Sequence, residues 1–281
     1  MISPVSRFAP SPTGMLHLGH AASALTVWNT MQDINGQVFL RLEDIDQTRC
    51  RPEYETAILE DLEWLGFTWP EPARRQSDHF DDYSQALNSL IERGLCYRCF
   101  RTRKEILADI GRAPHDAPQA FVSAPLPPAE EAEKLDRKLP FAWRLNLREA
   151  RAALGSQWQD LSYTAQQGAN TLSVAVDPAL HGDVVLARKD SPTSYHLATT
   201  HDDALQGVTH IIRGVDLEAS THVHVLIQTL MGWPTPVYTH HRLLTGPDGK
   251  RFAKRDKSQT LASLRSAGLS PEQVRKMAAL T

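Results

Sequence analysis

The chain has 281 residues, with 30 Lys and Arg against 33 Asp and Glu, and its formal net charge is −3. A hydrophobic fraction of 41% excludes a wholly disordered chain, and no stretch approaches the roughly 18 apolar residues of a membrane-spanning helix. The first residues lack the pattern of a secretory signal, and three cysteines, an odd number, suit a reducing compartment, so we expect a cytoplasmic protein.

The charges are unevenly distributed along the chain. Residues 241–281 contain nine basic and three acidic side chains, a net charge of +6, which leaves 21 basic and 30 acidic side chains, or −9, for the rest. A cationic end on an acidic body favours a segment that contacts phosphate. A solvated helical tail that is basic by chance is the alternative.

Strands and helices are predicted to alternate over the first 95 residues. Pro52 fits the first turn of a helix, and Gly66 and Gly94 end two helical patterns. This order favours a parallel sheet with helices packed on its faces. The predicted elements are strand Val5–Phe8, helix 18–31, strand Gln37–Leu42, helix 52–65 and helix 77–93.

The middle of the chain has a different pattern. A capping box at Thr102 and Glu105 predicts a short helix, and a stretch rich in Pro and Ala at 113–129 predicts a linker or a long surface loop. Strand signals return at 141–147 and 183–188. We interpret this part of the chain as an α+β insertion domain.

The α/β pattern then resumes. A loop rich in Gly, Lys and Arg follows at 244–258, and a capping box that begins at Ser270 opens a terminal helix. The further predicted elements are strand 208–213, helix 217–231 and strand 236–240. We therefore predict a first α/β half, an insertion, a second α/β half and a C-terminal segment, at residues 1–95, 96–190, 191–241 and 242–281.

A segment rich in proline and glycine, RFAPSPTGMLHLGH, joins the first strand to the first helix. His17 and His20 are three residues apart, which places both imidazoles on one face of the first helical turn. Gly19 lets a planar group approach the backbone, and the N–H groups of a helix N-terminus attract anions. The segment predicts a phosphate site, and a pair of packed or exposed histidines is the alternative.

A second candidate motif lies in the C-terminal loop, where GPDGKRFAKR spans residues 246–255. Its two glycines allow movement, and Arg251 and Lys254 supply positive charge. A flexible cationic loop can close on a polyphosphate and neutralise charge that develops in a transition state. An ordinary basic surface loop is the alternative.

Four blocks in sequence order, RFAPSPTGMLHLGH, LRLEDID, THIIRGVD and DGKRFAKRD, resemble the glutamyl subgroup of class I aminoacyl-tRNA synthetases. The tetrapeptide from His17 to His20 resembles the HIGH motif of class I, and residues 251–255 resemble its KMSKS loop. The resemblance covers nearly the whole chain. It implies a Rossmann-type parallel sheet that is split by an acceptor-binding insertion, with a short helical segment at the C-terminus.

The resemblance implies a pocket for free glutamate, which presents two carboxylates and one ammonium. Arg7 and Arg213, each near the end of a predicted strand, can clamp carboxylates through their guanidinium groups. Glu43 is placed to bind the α-ammonium, and surface ion pairs are the alternative for these three residues. The implied glutamate-binding residues are Arg7, Ala9, Ser11, Glu43, Tyr195 and Arg213.

The resemblance also implies ATP as a substrate, with Mg²⁺ as its counter-ion and no assigned protein ligand for that metal. The α-carboxylate of glutamate would attack the α-phosphorus of ATP, giving glutamyl-adenylate and pyrophosphate without a covalent enzyme intermediate. His17 and His20 are implied to hold the phosphates, and Lys254 to close on the developing charge, which makes these three the catalytic candidates. The implied ATP-binding residues are His17, Gly19, His20, Arg251 and Lys254.

Two motifs depart from the family's pattern. In the KMSKS loop Arg251 replaces the first lysine, which keeps its charge, and Ala253 replaces the serine. Relatives often carry Cys-x-Cys as half of a zinc site, whereas this chain has an arginine two residues after Cys99. Cys96 and Cys99 with His115 supply no fourth ligand, so we expect no zinc. We expect structural roles rather than metal ligation for four further histidines: His222, His224, His240 and His241.

Length separates the activities that the resemblance allows. Conventional glutamyl synthetases continue into a helical anticodon-binding domain, whereas this sequence stops 26 residues after Arg255. We therefore expect the activity of the standalone members, the glutamyl-queuosine tRNA(Asp) synthetases, which activate glutamate without tRNA and transfer it to the queuosine base. The implied partners are L-glutamate, ATP and the anticodon stem-loop of tRNA(Asp), with no membrane and no obligate protein partner.

Three alternatives to this activity stay open at this stage. The first is a short synthetase that charges the 3′ end of tRNA(Glu) or tRNA(Gln). The second is a tRNA-binding paralogue that has lost catalysis, which the altered KMSKS residues favour. The third is a Rossmann nucleotidyltransferase for another carboxylate, which two arginines in one pocket disfavour.

Overall fold

The computed structural model describes residues 3–102, 104–106, 120–244 and 259–279. The strands in these residues are β1 (Val5–Phe8), β2 (Gln37–Leu42), β3 (Arg74–Arg75), β4 (Cys96–Cys99), β5 (Ala142–Leu145), β6 (Ser162–Gln167), β7 (Asn170–Ala175), β8 (Val185–Arg188), β9 (His210–Gly214) and β10 (Val237–His241). The helices are α1 (Leu18–Asp33), α2 (Pro52–Trp64), α3 (Phe80–Glu92), α4 (Pro128–Asp136), α5 (Leu147–Leu154), α6 (Gln157–Asp160), α7 (Tyr195–Leu205), α8 (Ser220–Met231), α9 (Leu261–Ser266) and α10 (Pro271–Ala278). None of these helices combines the length and the apolar character that a membrane crossing requires.

Two sheets that are largely parallel meet at the centre of the fold. The first has the order β1-β2-β3, and the second has the order β7-β6-β10-β9. They adjoin along β1 and β9, where the N–H of Thr209 donates to the carbonyl of Val5 at 2.9 Å. β9, β10 and β6 pair in parallel, whereas β6 and β7 form an antiparallel hairpin. This arrangement agrees with the predicted parallel α/β class, and it brings Arg7 of β1 and Arg213 of β9 to one cavity.

A single apolar core joins the N-terminal helix to the C-terminal helices. Side chains of α1, β1, β2 and α2 pack with Leu261 of α9 and Val274 of α10, both of which are fully buried. The N–H of Leu261 also donates to the carbonyl of Leu16 at 2.9 Å. Removal of this apolar surface from water stabilises the contact. The C-terminal helices therefore belong to the same packed unit as the helix that begins at the histidine motif.

The segment between residues 96 and 190 contributes strands to two different sheets. β4, β5 and β8 form an antiparallel sheet of their own. β6, in contrast, pairs with β10 through Ala165 and Tyr238. A strand from the predicted insertion therefore extends the sheet of the second α/β half, and the four predicted domain limits stay predictions.

Two predicted helices begin later than their sequence pattern indicates. The helix predicted at 77–93 starts as a 3₁₀ turn over Gln76–His79 and becomes α-helical at Phe80. The helix predicted at 217–231 follows a 3₁₀ turn over Val215–Leu217 and begins at Ser220. Short 3₁₀ turns are common at helix N-termini, and apolar spacing does not separate them from the α-helix that follows.

Several elements lack a usable signal in the sequence. β7 is exposed along nearly all of its length, so it has no apolar alternation. α7 buries polar side chains, including Asp202 and Asp203, which obscures its apolar stripe. Residues 128 and 129 of the predicted Pro/Ala loop begin α4, and residues 113–119 lie outside the described part of the chain.

Both predicted capping boxes are confirmed. The Thr102 N–H donates to Oε2 of Glu105 at 2.6 Å, and the Glu105 N–H donates to Oγ1 of Thr102 at 3.3 Å. Ser270 and Gln273 exchange the equivalent pair of hydrogen bonds at 2.8 and 3.3 Å. These bonds satisfy backbone donors that the first helical turn leaves without an intrahelical partner.

Candidate active site

One cavity of about 640 Å³ gathers nine of the eleven residues that the sequence predicts for the site. Leu243 and Leu244, which lead into the Gly-rich loop, also line this cavity, which we call the central cavity. Arg251 and Lys254 lie outside the described residues, so their placement stays a prediction. The nine lining residues are Arg7, Ala9, Ser11, His17, Gly19, His20, Glu43, Tyr195 and Arg213.

His17 and His20 cap the helix that they begin. Nδ1 of His17 accepts the N–H of Gly19 at 3.1 Å, and Nδ1 of His20 accepts the N–H of His17 at 3.1 Å. Because each Nδ1 is an acceptor, each neutral ring carries its proton on Nε2. The ring centroids are 3.8 Å apart and both rings line the cavity, so the pair can offer two N–H donors to an anion at the positive end of α1.

Asp203 of α7 links the arginine of β1 to a second arginine in β2. Its Oδ1 accepts from Nε of Arg7 at 3.0 Å and from NH2 of Arg41 at 2.8 Å. All three side chains are almost completely buried. Since Asp203 holds the Nε edge of Arg7, the two terminal amino groups of that guanidinium are left for a ligand in the cavity.

Glu43 follows β2 and lines the same cavity. Its Oε1 accepts from Oγ1 of Thr199 at 3.0 Å and from NH2 of Arg41 at 3.4 Å. Burial raises the pKa of this carboxyl, against the opposing effect of Arg41 and Arg7. An ammonium group bound in the cavity would offset the cost of burying the carboxylate, which supports the predicted role of Glu43.

Arg213 differs from Arg7 because its partners among the described residues are neutral. NH1 donates to Nδ1 of His224 at 3.1 Å, and NH2 donates to Oγ1 of Thr221 at 2.7 Å. Nε is 3.5 Å from Nε2 of His240. The side chain is almost fully buried, and no carboxylate of the described chain pairs with its positive charge. Arg213 is therefore a site for an anionic group.

The buried charges around the central cavity leave a positive surplus. Among the buried side chains that line this cavity, Arg7 and Arg213 supply two cations and Glu43 supplies one carboxylate, so their net charge is +1, whereas the lining Asp216 is exposed. Behind them Arg41 and Arg74 pair with Asp202 and Asp203. A buried surplus charge is costly until a ligand of opposite charge binds. The cavity is therefore suited to a ligand whose own net charge is −1.

A chain of hydrogen bonds runs from Arg213 to His224 and from His224 to His196. A guanidinium only donates, so Nδ1 of His224 is an acceptor and its proton lies on Nε2. That Nε2 is 3.2 Å from Nδ1 of His196, which places the His196 proton on Nε2 in turn. Burial and the charge of Arg213 hold the pKa of His224 well below its ordinary range. Burial, with a smaller effect of His181, lowers the pKa of His196 to about 4, so both rings are neutral at pH 7.

A second cavity, of about 660 Å³, adjoins the central cavity. The two cavities share Ser11, Glu43 and Tyr195 as lining residues, and His196 lines the second one. The Tyr195 hydroxyl is 3.5 Å from NH1 of Arg213, and burial raises the pKa of this tyrosine. A ligand in the second cavity would therefore lie next to a ligand in the central cavity.

The two cysteines considered for zinc do not face one another. Cys96 and Cys99 lie in β4 at positions of opposite parity, so their thiols point to opposite faces of the sheet. Cys99 packs in a small cluster with Phe121, whereas Cys96 packs against a different core, where burial raises the pKa of its thiol to about 12. Among the described residues no three His, Cys, Asp or Glu side chains converge as metal ligands. His115 lies outside those residues, so the absence of zinc stays a prediction.

Sequence reasoning missed four residues that position the site: Arg41, Thr199, Asp203 and His224. One signal was present for the first of them. Arg41 stands between Leu40 and Leu42 in a strand whose two faces are both buried, so it requires a buried carboxylate. The adjacent acids Asp202 and Asp203 of α7, both buried, supply that carboxylate. Nothing in the sequence marks His224 as the partner of Arg213.

Comparison with known proteins identifies the class. The family model described as tRNA synthetases class I (E and Q), catalytic domain, matches residues 4–281. The chain therefore belongs to this family of class I tRNA synthetases. It is a ligase, and its family uses ATP as a substrate.

Individual relatives extend over most of the chain. Glutamyl-Q tRNA(Asp) synthetase from Rhodobacter capsulatus is 40% identical over 280 residues, which cover 98% of this chain and 100% of that protein. A glutamate–tRNA ligase from Aquifex aeolicus is 36% identical and covers 95% of this chain, which spans 54% of that protein. The solved glutamate tRNA ligase from Elizabethkingia meningosepticum, in complex with its amino acid, superimposes with a TM-score of 0.76 at 28% identity. That match covers 99% of this chain and 61% of the solved one, and it confirms the predicted fold class.

Proposed function

We propose that this ligase activates L-glutamate with ATP in the absence of tRNA and transfers the glutamyl group to the queuosine base in the anticodon of tRNA(Asp). The relative whose whole length is covered by this chain carries the name glutamyl-Q tRNA(Asp) synthetase. The observation that carries the choice of amino acid is the charge surplus of +1 around the central cavity. Glutamate has a net charge of −1, whereas glutamine is neutral.

Each charged group of glutamate has a counterpart in the central cavity. The terminal amino groups of Arg7 and the guanidinium of Arg213 provide two positions for carboxylates. Glu43 provides the position for the ammonium, because Oε1 is held by Thr199 and Arg41 and the second oxygen is left for the ligand. Charge-assisted hydrogen bonds of this kind are stronger than neutral ones and are directional.

Activation joins the amino acid to ATP. An oxygen of the α-carboxylate attacks the α-phosphorus, the bond from that phosphorus to the bridging oxygen breaks, and pyrophosphate leaves. The Nε2–H groups of His17 and His20 would bind phosphate oxygens, and Gly19 between them leaves room for the nucleotide. Positioning and charge stabilisation supply the catalysis of such a displacement.

Lys254 completes the proposed activation step. We expect Lys254→Ala to leave glutamate binding nearly unchanged while adenylate formation collapses, because the lysine is assigned to charge that develops at the phosphates. Binding is measured by calorimetry with glutamate alone, and adenylation by pyrophosphate exchange. Equal loss of both activities would contradict this role.

Transfer takes place where the two cavities adjoin. A hydroxyl of the queuosine cyclopentene ring attacks the carbonyl carbon of the adenylate, the new ester forms, and AMP and the hydroxyl proton leave. The second cavity is proposed to receive the modified nucleoside, because it shares Ser11, Glu43 and Tyr195 with the glutamate site. A nucleoside there would lie within reach of an adenylate in the central cavity.

Glutamate-dependent exchange of pyrophosphate into ATP, without tRNA, tests the activation step. We expect exchange with L-glutamate and at least a hundredfold less, on the order expected for a buried charge left unpaired, with L-glutamine. The exposed Arg148→Ala is the matched control, and Arg213→Ala is expected to abolish exchange. Exchange that requires tRNA, or that accepts glutamine equally, would contradict the proposal.

A further inference from the structure

A third cavity, of about 350 Å³, lies on the β5–β8 side of the fold and combines aromatic rings with cations. Phe141 and Trp143 contribute its aromatic side chains, and Lys138, Arg188 and Lys189 contribute its charges. No carboxylate is among its lining residues in the described part of the chain. We call this cavity the aromatic cavity.

The rings of the aromatic cavity are held in a fixed arrangement. The guanidinium carbon of Arg98 lies 4.4 Å from the centre of the Trp143 ring and 5.4 Å from that of Phe141. The planes of Phe141 and Trp143 are nearly perpendicular, at 88°, with their centroids 5.7 Å apart. Glu131 pairs with Arg98 and holds it there. The cluster is therefore preorganised, which lowers the entropy cost of binding a flat ligand.

Arg188 connects the aromatic cavity to the second cavity, because it lines both. The second cavity in turn shares three lining residues with the central cavity. Lys138, Arg188 and Lys189 are all exposed, so their charges face solvent around an apolar floor. A polyanion with planar apolar groups that extends out of the second cavity would next contact the rings of the aromatic cavity.

We propose that the aromatic cavity binds an unpaired nucleotide of the RNA whose neighbouring nucleoside occupies the second cavity. The base would stack on Phe141 or Trp143, and the flanking phosphates would contact Lys138, Arg188 and Lys189. Stacking on aromatic side chains and phosphate contacts by Lys and Arg are the general means of binding single-stranded RNA. This inference rests on the proposed function, which places a nucleoside of the RNA in the second cavity. Its test measures binding and does not depend on catalysis.

Direct binding of RNA tests the aromatic cavity. The probe is a fluorescent anticodon stem-loop of queuosine-containing tRNA(Asp), and the variants are Lys138→Ala with Lys189→Ala, Trp143→Leu and the control Arg148→Ala. We expect the double variant to weaken binding about tenfold and to reduce the slope of log K against log salt by about two, one for each lost phosphate contact. Trp143→Leu is expected to weaken binding about tenfold without changing that slope. Arg148→Ala should match the wild type.

The outcomes separate this inference from the proposed function. Unchanged affinity and unchanged salt slope in the double variant, with thermal stability intact, would overturn the aromatic cavity as an RNA site. Binding of polyglutamate to the same variants is measured in parallel. If the double variant loses affinity for polyglutamate as much as for RNA, the surface is a site for acidic proteins and the proposal is overturned. If the wild-type protein binds the stem-loop through these residues but catalyses no glutamate-dependent exchange of pyrophosphate, the proposed function is contradicted and the aromatic cavity is not.

Discussion

Nδ1 of His224 accepts an N–H of Arg213 at 3.1 Å, and both side chains are almost completely buried. A neutral acceptor at this position orients the guanidinium without neutralising it. Arg7 is held in the opposite way, by the carboxylate of Asp203. The contrast makes Arg213 the cation whose charge a substrate has to balance, and it connects the local hydrogen bond to the preference for an acidic amino acid.

A charged replacement of His224 tests this relationship. We expect His224→Asp to pair with Arg213 and raise the KM for glutamate in pyrophosphate exchange about a hundredfold, which corresponds to about 3 kcal/mol. His224→Asn keeps a neutral oxygen acceptor near the position of Nδ1, so its KM should stay within about tenfold of the wild type. Similar KM values for the two variants would show that the charge of Arg213 does not select the substrate.

The bridge made by Asp203 is expected to determine stability as well as geometry. Asp203→Asn removes the charge that Arg7 and Arg41 share: Arg41 keeps Glu43 and Asp202, whereas Arg7 is left without a carboxylate partner among the described residues. We expect the free energy of unfolding to fall by about 3–5 kcal/mol, the usual cost of breaking a buried ion pair. Urea denaturation measures this change, and Asp160→Asn on the exposed surface is the control. A loss below about 1 kcal/mol, the range of exposed pairs, would contradict the assigned role.

Two replacements of His17 separate its capping role from its contact with substrate. The side-chain oxygen in His17→Asn is expected to take the place of Nδ1 and keep the cap, while the Nε2 donor is lost. This variant should unfold like the wild type but lose exchange activity about a hundredfold. His17→Gln loses the cap, so its free energy of unfolding should fall by about 1 kcal/mol. It should keep more of the exchange activity than His17→Asn, because its amide nitrogen reaches the position of Nε2. Wild-type exchange activity in His17→Asn would assign His17 to structure alone.

The buried histidines predict how stability depends on pH. Burial lowers the pKa of His196 to about 4 and that of His240 to about 4, against 6.5 for an unperturbed imidazole. Between these values each of these two rings binds a proton in the unfolded chain and not in the folded one, so their contribution to folding stability is fully present above pH 6.5 and is lost toward pH 4. Asp61, whose pKa burial raises to about 6, contributes in the opposite direction.

Urea denaturation at a series of pH values in this interval measures the decline. His196→Asn should flatten part of it, because it removes one of the groups that the folded state keeps unprotonated. The same pH dependence in His196→Asn as in the wild type would show that this ring binds protons equally in the folded and the unfolded chain.

The sequence predicted the strands and site residues that depend on the spacing of neighbouring residues in the chain. Strands β1 and β2 have the predicted bounds because their apolar residues alternate or run continuously between turn residues. Eight of the nine described site residues belong to three of the four motifs and the ninth, Tyr195, lies outside them, and all nine line one cavity. Each of these three motifs lies at the end of a strand or the start of a helix, where parallel α/β folds bring ligands to the sheet.

What the sequence did not predict depends on contacts across the fold. Asp203 meets Arg7 across 196 positions of the chain, and His224 meets His196 only because α7 and α8 pack together. No local pattern encodes such pairs. The exposed hairpin strand β7 escaped prediction for a different reason, since it lacks an apolar face that periodicity detects.

We expect glutamate to be attached to a modified base and not to the 3′ end of tRNA. Labelled glutamate is offered, with ATP, to tRNA(Asp) with and without queuosine, and each RNA is tested with its 3′-terminal CCA intact or removed. We predict labelling that requires queuosine and persists after removal of CCA. Labelling that is independent of queuosine and lost with CCA would contradict it and would identify a short synthetase that acylates the 3′ end.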